Sequence, residues 1–181
     1  PNRAMDDDDM AGDITTKLSS WDLKAFLKER VKGPLKMHHE FRVSISDCPN
    51  ACSRPQIADL GLIGVCRPGV TSQPCNGCLT CVDICRERAV SFAGALDAAP
   101  VIDERACLAC GQCVAACPTG TIQAVQRGYR IGVGGKLGRH PQLARELPGI
   151  YSRDEALAVA ETCVEHFLEH NREGERFGDI V

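Results

Sequence analysis

The chain has 181 residues, of which 44% are hydrophobic and 25% are charged, and this composition is typical of a folded globular protein. The formal net charge of −3, without a run of Lys or Arg, argues against a nucleic-acid partner, and no apolar run is long enough to span a membrane. Twelve cysteines and an acidic start unlike a signal peptide predict a location in the reducing cytoplasm.

The first predicted element is a helix over residues 19–31. Its apolar residues recur at helical spacing, Ser19 or Ser20 can cap its start, and Gly33-Pro34 ends it. The acidic run at residues 6–9 allows two interpretations, a solvated face or an early helix turn.

Two extended segments follow, and a short cysteine motif lies between them. Residues 40–46 alternate apolar and polar side chains, which predicts a strand. This strand leads directly to Cys48-Pro-Asn-Ala-Cys52, and a second extended segment is predicted near residues 57–65. Two cysteines four positions apart are by themselves a weak indication of a metal site, so the interpretation of this motif depends on the neighbouring sequence.

Residues 75–85 and 107–117 repeat one pattern, CNGCLTCVDIC and CLACGQCVAAC, each with the spacing Cys-x2-Cys-x2-Cys-x3-Cys. This is the spacing of two-cluster bacterial ferredoxins, in which the fourth cysteine of each run binds the other cluster. The predicted ligands of the first 4Fe–4S cluster are Cys75, Cys78, Cys81 and Cys117, and those of the second cluster are Cys85, Cys107, Cys110 and Cys113.

Zinc and disulfides are the alternative interpretations of these cysteines. Zinc sites usually use two Cys-x2-Cys pairs, and a disulfide framework suits a small secreted domain. Arg86 stands where proline usually follows the fourth cysteine, whereas Cys117 keeps Pro118. Around the cysteines, short helices are predicted near positions 79 and 112, and short strands near 89–92, 100–102 and 121–124.

After the repeat, residues 129–133 are predicted to form a strand, and residues 136–141 form a glycine-rich loop. Residues 152–171 have the pattern of a long helix that begins with a capping box and carries one wide apolar stripe. Cys163 lies on that stripe and is predicted to be a buried small hydrophobe. The isolated Cys66 is predicted to be a structural thiol.

Outside the repeat, the chain resembles the nitrite/sulfite reductase family in its C-terminal siroheme and 4Fe–4S half. CPNAC at 48–52 with DLGLIG at 59–64 is similar to the family's second cluster motif, and YRIGVGGKLGRHP at 129–141 is similar to the strand and glycine loop after it. LPGIYSRDEAL at 147–157 and GERFGDIV at 174–181 resemble its closing helices. A ferredoxin domain inserted at this place resembles the dissimilatory and anaerobic sulfite reductases.

The resemblance implies further cofactors. In the family, a Cys-x5-Cys motif and a Cys-x3-Cys motif together hold a 4Fe–4S cluster, and the last cysteine bridges this cluster to the siroheme iron. It therefore implies Cys48 as a ligand of a third 4Fe–4S cluster and Cys52 as the siroheme-bridging ligand. The family's Cys-x5-Cys motif precedes a segment like residues 1–5. The chain is accordingly expected to be an N-terminally incomplete part of a longer reductase, without catalytic residues of its own and inactive when isolated.

The glycine-rich loop adds one hypothesis to this resemblance. Lys136 and Arg139, with His140, are expected near the edge of siroheme, whose carboxylates need cationic contacts. The alternative is a solvated basic turn.

The predicted fold is α+β, with a mixed or antiparallel sheet covered by helices and a separate ferredoxin-like lobe. The predicted domains are a discontinuous reductase domain, residues 1–70 plus 125–181, and a two-cluster ferredoxin insert, residues 71–124. The predicted function is a module of a siroheme-dependent sulfite reductase, which relays electrons from a donor protein toward the six-electron reduction of sulfite. The alternatives are a nitrite reductase of the same family and a ferredoxin-type electron-transfer subunit without catalysis of its own.

Overall fold

The computed structural model describes residues 4–5, 9–92, 94 and 98–181. This part of the chain forms six α-helices and six strands. The helices are α1 (Met10–Leu18), α2 (Leu23–Arg30), α3 (Thr80–Ile84), α4 (Gln112–Ala116), α5 (Arg153–His170) and α6 (Phe177–Ile180). The strands are β1 (Val43–Ser46), β2 (Leu60–Val70), β3 (Val90–Ser91), β4 (Val101–Ile102), β5 (Ile122–Val133) and β6 (Arg145–Glu146). Among the helices of this described part, none is both long and apolar enough to cross a membrane.

Four of the strands form a mixed sheet in the order β1–β2–β5–β6. β1 is parallel to β2, with Val43 opposite Leu60, and β6 is antiparallel to the end of β5, with Val133 opposite Arg145. A parallel pair needs a long connection, and residues 47–59 provide it and carry the CPNAC turn. A separate two-stranded antiparallel sheet contains β3 and β4. A mixed sheet combined with helices agrees with the predicted α+β class.

β5 is longer than the sequence predicts. Separate strands are expected near 121–124 and 129–133, but one strand runs from Ile122 to Val133. This stretch contains no proline, and its two glycines, Gly128 and Gly132, leave the strand continuous although glycine weakens a strand interior. β5 therefore carries the chain unbroken from the end of the second cysteine run to the glycine-rich loop.

The N-terminal helical region starts earlier than predicted, because α1 precedes residue 19. Ser19 lies at the end of α1, where its backbone N–H donates to the Thr15 carbonyl at 3.0 Å. Asp22 caps α2 instead, by accepting a hydrogen bond from the Ala25 N–H at 2.9 Å. The prediction of a Ser19 or Ser20 cap is therefore wrong. The sequence contains both residue types at this point, and Asp is as effective an N-cap as Ser.

One end of the acidic run is part of a helix start. Asp9 is the N-cap of α1 and accepts a hydrogen bond from the Gly12 N–H at 3.0 Å. Its carboxylate also lies at the positive end of the helix dipole, which favours the interpretation of an early helix turn. Residues 1–3 and 6–8 lie outside the described residues.

The described chain divides into two compact units. The first unit contains residues 4–5, Asp47–Pro49 and the described residues of Gly64–Gly128, and thus both cysteine runs. The second unit contains residues 9–46, Asn50–Ile63 and Tyr129–Val181, and thus the long helix and the glycine-rich loop. β2 and β5 each pass from one unit into the other.

In the first unit, the chain enters and leaves the cysteine runs at adjacent points. The Thr71 N–H donates to the Thr121 carbonyl at 2.8 Å, and the Thr71 hydroxyl donates to the Gly120 carbonyl at 2.9 Å. These two bonds fasten the end of β2 to the beginning of β5.

Buried cysteines form part of the core of the first unit. Cys81 and Cys113 are buried together with Val90 and Ile122. Each half of the repeat supplies one cysteine and one apolar residue five positions after its last cysteine. The core of this unit is therefore built directly from the repeated pattern.

The core of the second unit is centred on Phe167, whose side chain is fully buried. The Phe167 ring centroid lies 5.5 Å from that of Phe41 and 6.2 Å from that of Phe26. Phe41 also lies edge-on to Phe177 at 5.0 Å. Tilted and edge-to-face contacts are the favoured geometries for aromatic pairs, and here they hold α2, α5 and α6 against the segment that leads into β1.

The long C-terminal helix α5 begins at the predicted capping box. The Ser152 N–H donates to the Glu155 carboxylate at 2.7 Å, and the Glu155 N–H donates to the Ser152 hydroxyl at 3.4 Å. Cys163 is buried on this helix, and burial raises the pKa of its thiol to about 11. The thiol is therefore protonated at neutral pH, as expected of a small hydrophobe in a core.

Replacing Ser152 with Ala should lower the free energy of unfolding by about 1 kcal/mol, because the substitution removes the acceptor for an N-terminal N–H of α5. Denaturant unfolding followed by circular dichroism measures the change. Thr162→Ala is the control, since its exposed hydroxyl donates only to the Ala158 carbonyl in the middle of the same helix. Equal losses for the two variants would contradict a capping role.

Candidate functional site

The two cysteine runs form loops with the same backbone conformation. Left-handed residues occur at matching positions in the two halves: Gly77 (φ 68°) and Ala109 (56°), Leu79 (59°) and Gly111 (74°), and Arg88 (53°) and Gly120 (70°). A non-glycine residue in this region costs roughly 1–2 kcal/mol, so Leu79, Arg88 and Ala109 are held there by their surroundings. Backbone strain of this kind is concentrated at functional sites.

The four predicted ligands of the first cluster surround one cavity. Cys75, Cys78, Cys81 and Cys117 line one pocket, and Phe92 and Ile122 form part of its apolar wall. Three of these cysteines come from the first run, whereas Cys117 comes from the end of the second. The sulfur that completes this ring is thus supplied by the other half of the repeat.

Within the described residues, no group of three His, Cys, Asp or Glu side chains is arranged to hold a single metal ion. All twelve cysteines lie in the described part of the chain and none forms a disulfide. Four cysteines around one pocket are the ligand type of a 4Fe–4S cluster.

The second predicted ligand set also includes one cysteine from the other run. Burial, followed by the charges of Cys107, Cys110 and Cys85, raises the pKa of the Cys113 thiol to about 12. Cys85 belongs to the first run, yet its sulfur is close enough to act on Cys113 and also on Cys107. Burial is the main cause that raises the pKa of Cys107 as well. These thiols stay protonated without a metal, so metal binding must release their protons.

Backbone N–H groups point at sulfurs in both sets. The Gly77 N–H lies 3.5 Å from the Cys75 sulfur, and the Ala109 N–H lies 3.4 Å from the Cys107 sulfur. The last cysteine of each run also accepts a backbone hydrogen bond. The Ala89 N–H donates to the Cys85 sulfur at 3.3 Å, and the Ile122 N–H donates to the Cys117 sulfur at 3.4 Å. Donors of this kind stabilise metal-bound thiolates, so the two loops present nearly the same backbone environment to a cluster.

Hydroxyl groups distinguish the first set, and sequence reasoning missed them. Thr80 donates to the Cys78 sulfur at 3.4 Å, and this bond is the main reason why the pKa of Cys78 is lowered. Burial acts to raise the pKa of Cys117, but hydrogen bonds from the Ile122 N–H and the Thr119 hydroxyl outweigh it and lower this pKa to about 7. The available signal was a hydroxyl residue two positions after a ligand cysteine.

The CPNAC turn is closed by serine hydroxyls. The Ser53 hydroxyl donates to the Ile45 carbonyl at 2.7 Å and lies 2.7 Å from the Ser46 hydroxyl. Within the turn, the Asn50 side-chain amide donates to the exposed Cys52 sulfur at 2.8 Å. Cys48 is half-buried and belongs to the first unit, whereas Cys52 belongs to the second.

The glycine-rich loop holds its lysine inside the second unit. Backbone hydrogen bonds of 2.9 Å between Lys136 and Gln142, one in each direction, close the loop. Lys136 is 9% exposed, and its ammonium group forms an ion pair with the carboxylate of Asp179. Arg139 and His140 are exposed. Asp179 was missed by sequence reasoning, since no local pattern links two residues 43 positions apart.

Comparisons with known proteins give a family match and several relatives. The family model of the nitrite and sulphite reductase 4Fe-4S domain matches residues 5–181. Over 56 residues, 31% of its length, the chain is 43% identical to a coenzyme F420-dependent sulfite reductase of Methanocaldococcus jannaschii. Over 52 residues, 29% of its length, it is 41% identical to a subunit of the anaerobic sulfite reductase of Salmonella typhimurium. A crystal structure of dissimilatory sulfite reductase I matches 77% of the chain with a TM-score of 0.51 at 20% identity.

The chain spans a small part of each of these proteins. The matched segments amount to 9% of the first relative, 15% of the second and 39% of the solved chain. At 20% identity the structural match establishes a shared fold and leaves the activity to be argued from the site. The predicted fold class is confirmed by this match.

Gly111→Ala should selectively weaken the loop of the second ligand set. A Cβ at Gly111 would lie 2.8 Å from the Cys66 Cβ and 3.0 Å from its sulfur, and φ there is +74°. The expected loss is about 2–4 kcal/mol of loop stability, from the left-handed backbone and overpacking together. Leu79→Ala, at the matching position of the first half, is the control because a side chain is already accommodated there. Iron content and thermal unfolding of both variants measure the difference, and equal effects would contradict the close approach.

Proposed function

Because the chain belongs to the nitrite and sulphite reductase 4Fe-4S domain family, we propose that it is a module of a siroheme-dependent sulfite reductase that delivers electrons to the sulfite-reducing centre. The observation that carries this proposal is the ring of Cys75, Cys78, Cys81 and Cys117 around one cavity. Sulfite reduction consumes six electrons, and cysteine-ligated clusters supply electrons one at a time. A pair of such sites within a reductase domain is therefore suited to electron delivery.

The proposed ligation is crossed. Cys117 joins Cys75, Cys78 and Cys81 at the first 4Fe–4S cluster, and Cys85 joins the cysteines at 107, 110 and 113 at the second. The shared pocket supports the first assignment, and the contribution of Cys85 to the raised pKa values of Cys107 and Cys113 supports the second. The matched left-handed residues support one mode of binding for both sites.

Family membership carries the rest of the proposed site. Cys48 is proposed to bind a third 4Fe–4S cluster in the complete protein, and Cys52 to bridge this cluster to siroheme. The Asn50 amide, 2.8 Å from the Cys52 sulfur, is a donor able to stabilise this thiolate. When bound, siroheme supplies an iron with an open face for the anion and the macrocycle for its reduction.

The choice among the alternatives rests on the extent of the family match and on the names of the relatives. A ferredoxin-type subunit would need only the first unit, but the family match extends over residues 5–181. The two relatives are both named as sulfite reductases, which favours sulfite over nitrite as substrate. The proposed partner is an electron-donor protein. The proposed compartment is the cytoplasm, because twelve cysteines without a disulfide suit a reducing environment.

Replacing Cys117 with Ser should damage the cluster held by Cys75, Cys78 and Cys81, although that run is distant in sequence. The unaltered 181-residue chain, purified anaerobically, should contain about eight irons in its two ferredoxin-type sites. The variant should retain the iron of the second site. Iron and sulfide analysis together with electron paramagnetic resonance (EPR) of the reduced protein measures both quantities.

The reciprocal variant Cys85→Ser is the matched control and should damage only the site of the second run. If each substitution instead abolishes the cluster nearest to it in sequence, the crossed ligation is wrong. Fewer than eight irons in the unaltered chain would contradict the two-cluster proposal itself. For the whole reductase, siroheme absorption bands and sulfite reduction with a reduced viologen as donor test the reductase assignment.

Arg139→Ala should weaken siroheme retention in the whole reductase, because a charge-assisted hydrogen bond to a siroheme carboxylate is worth about 1.5–3 kcal/mol. Lys136→Ala should have a similar effect if its ammonium group serves both Asp179 and the cofactor. The control is Arg145→Ala, an exposed arginine on β6 of the same unit. Siroheme content after gel filtration is the measurement. Unchanged content in both variants would assign Lys136 to its ion pair alone and Arg139 to a solvated turn.

A further inference from the structure

Side-chain hydroxyls contact sulfurs in the first cysteine set and not among the described contacts of the second. Thr80 donates to the Cys78 sulfur at 3.4 Å. The Thr119 hydroxyl lies 3.6 Å from the Cys117 sulfur. By contrast, Cys85 and Cys107 accept hydrogen bonds from backbone N–H groups. Two sites with nearly the same backbone environment thus differ in their hydroxyl donors.

The internal repeat shows that this difference is encoded in the sequence. The residue two positions after the second cysteine is Thr80 in the first run and Gln112 in the second. The residue two positions after the last cysteine is Thr119 in the second run and Glu87 in the first. Because Cys117 crosses over, both threonines act on the first ligand set. Each run supplies one of these hydroxyls, and the crossed ligation brings both to the first site.

Thr119 is part of a short hydroxyl chain. Its oxygen lies 2.7 Å from the Thr121 hydroxyl, and Thr121, which is 1% exposed, donates to the Pro74 carbonyl at 3.1 Å. The series Cys117–Thr119–Thr121–Pro74 therefore contains three contacts. When Cys117 is protonated, three hydrogens serve these contacts, one on the sulfur and one on each threonine hydroxyl.

A metal-bound Cys117 changes this count, because the ligand is a thiolate and carries no hydrogen. Two hydroxyl hydrogens then serve three contacts. Thr119 donates either to the sulfur or to Thr121, and in the first case Thr121 donates either to Pro74 or to Thr119. Additional negative charge on the sulfur favours the orientation in which Thr119 donates to it. The hydroxyl chain thus responds to the charge of the site that it contacts.

Solvent exposure acts in the same direction as the hydroxyls. The two sets differ in exposure at one cysteine: Cys78 of the first set is exposed, whereas each set otherwise contains only half-buried cysteines and one buried cysteine. The guanidinium of Arg67 lowers the pKa of Cys107 in the second set, so its positive charge favours reduction of that site instead. However, Arg67 forms an ion pair with Glu104 at 2.7 Å, so its charge is largely compensated. Hydrogen bonds to sulfur and exposure to solvent both tune the potential of an iron–sulfur site, and both stabilise the more negative, reduced state.

We propose that Thr119 and Thr80 are positioning residues that give the Cys75/Cys78/Cys81/Cys117 site the higher reduction potential of the two ferredoxin-type sites. The proposal rests on the crossed ligation proposed above and extends it to the order in which the sites are reduced. Electrons that enter the first unit occupy the hydroxyl-rich site first, and the second site is reduced only at lower potential.

The test is a redox titration of the iron-loaded 181-residue chain, followed by EPR. The unaltered chain should show two midpoint potentials. Thr119→Val removes the hydroxyl and keeps the shape of the side chain, so the higher midpoint should fall while the lower one stays unchanged. Thr119→Ser restores a hydroxyl and should restore the higher midpoint. Thr71→Val is the matched control, because its hydroxyl donates to the Gly120 carbonyl and not to a sulfur.

Two further variants keep the test decisive if Thr119→Val fails to bind its clusters. Thr80→Val, at an exposed position, should also lower only the higher midpoint. Thr121→Val removes the competing acceptor for the Thr119 hydroxyl, so the higher midpoint should rise or stay unchanged. A fall in Thr121→Val equal to that in Thr119→Val would overturn the proposed direction of the hydroxyl chain.

The outcomes separate this proposal from the ligation on which it rests. With about eight irons present, a shift of the lower midpoint in Thr119→Val, or no shift of either midpoint, overturns the assignment of the hydroxyls. A chain that loads fewer irons, or that shows a single type of cubane, contradicts the two-cluster ligation instead.

Discussion

The proposed exchange of one sulfur between the two cysteine runs is the constraint on which the first unit depends. Cys117 lines the same pocket as the three cysteines of the first run, and Cys85 contributes to the raised pKa of Cys113 in the second run. In this proposed ligation, neither half forms a complete site alone. The short strands and helices between the runs then connect the two proposed sites, and metal binding and folding of this unit are expected to be coupled.

Patterns that are local in sequence were sufficient for much of the fold. The cysteine spacing anticipated two equivalent loops, which the structure shows in the matched positive φ angles of Leu79 and Gly111. The capping box at Ser152 located the start of α5. Motifs such as CPNAC and the glycine-rich loop were sufficient to identify the family, because they combine several residue types in a fixed order. The assignment of individual ligands and the division into domains stay predictions.

The sequence did not predict features that depend on competition between similar residues or on contacts between residues distant in sequence. Ser19 and Asp22 are both able to cap a helix, but Ser19 ends α1, which buries Met10 and Ile14, and Asp22 caps α2. The ion pair of Lys136 with Asp179 depends on the position of α6. Each of these features is a property of tertiary structure rather than of a pattern.

The hydrogen bond between the Thr71 N–H and the Thr121 carbonyl also bears on the length of the segment between these residues. All eight ferredoxin-type cysteines lie in this segment, and the chain enters and leaves it at adjacent points. Joining ends that are already adjacent costs little extra chain entropy as the segment between them lengthens. The segment therefore tolerates a change in length while the register of the flanking strands stays fixed.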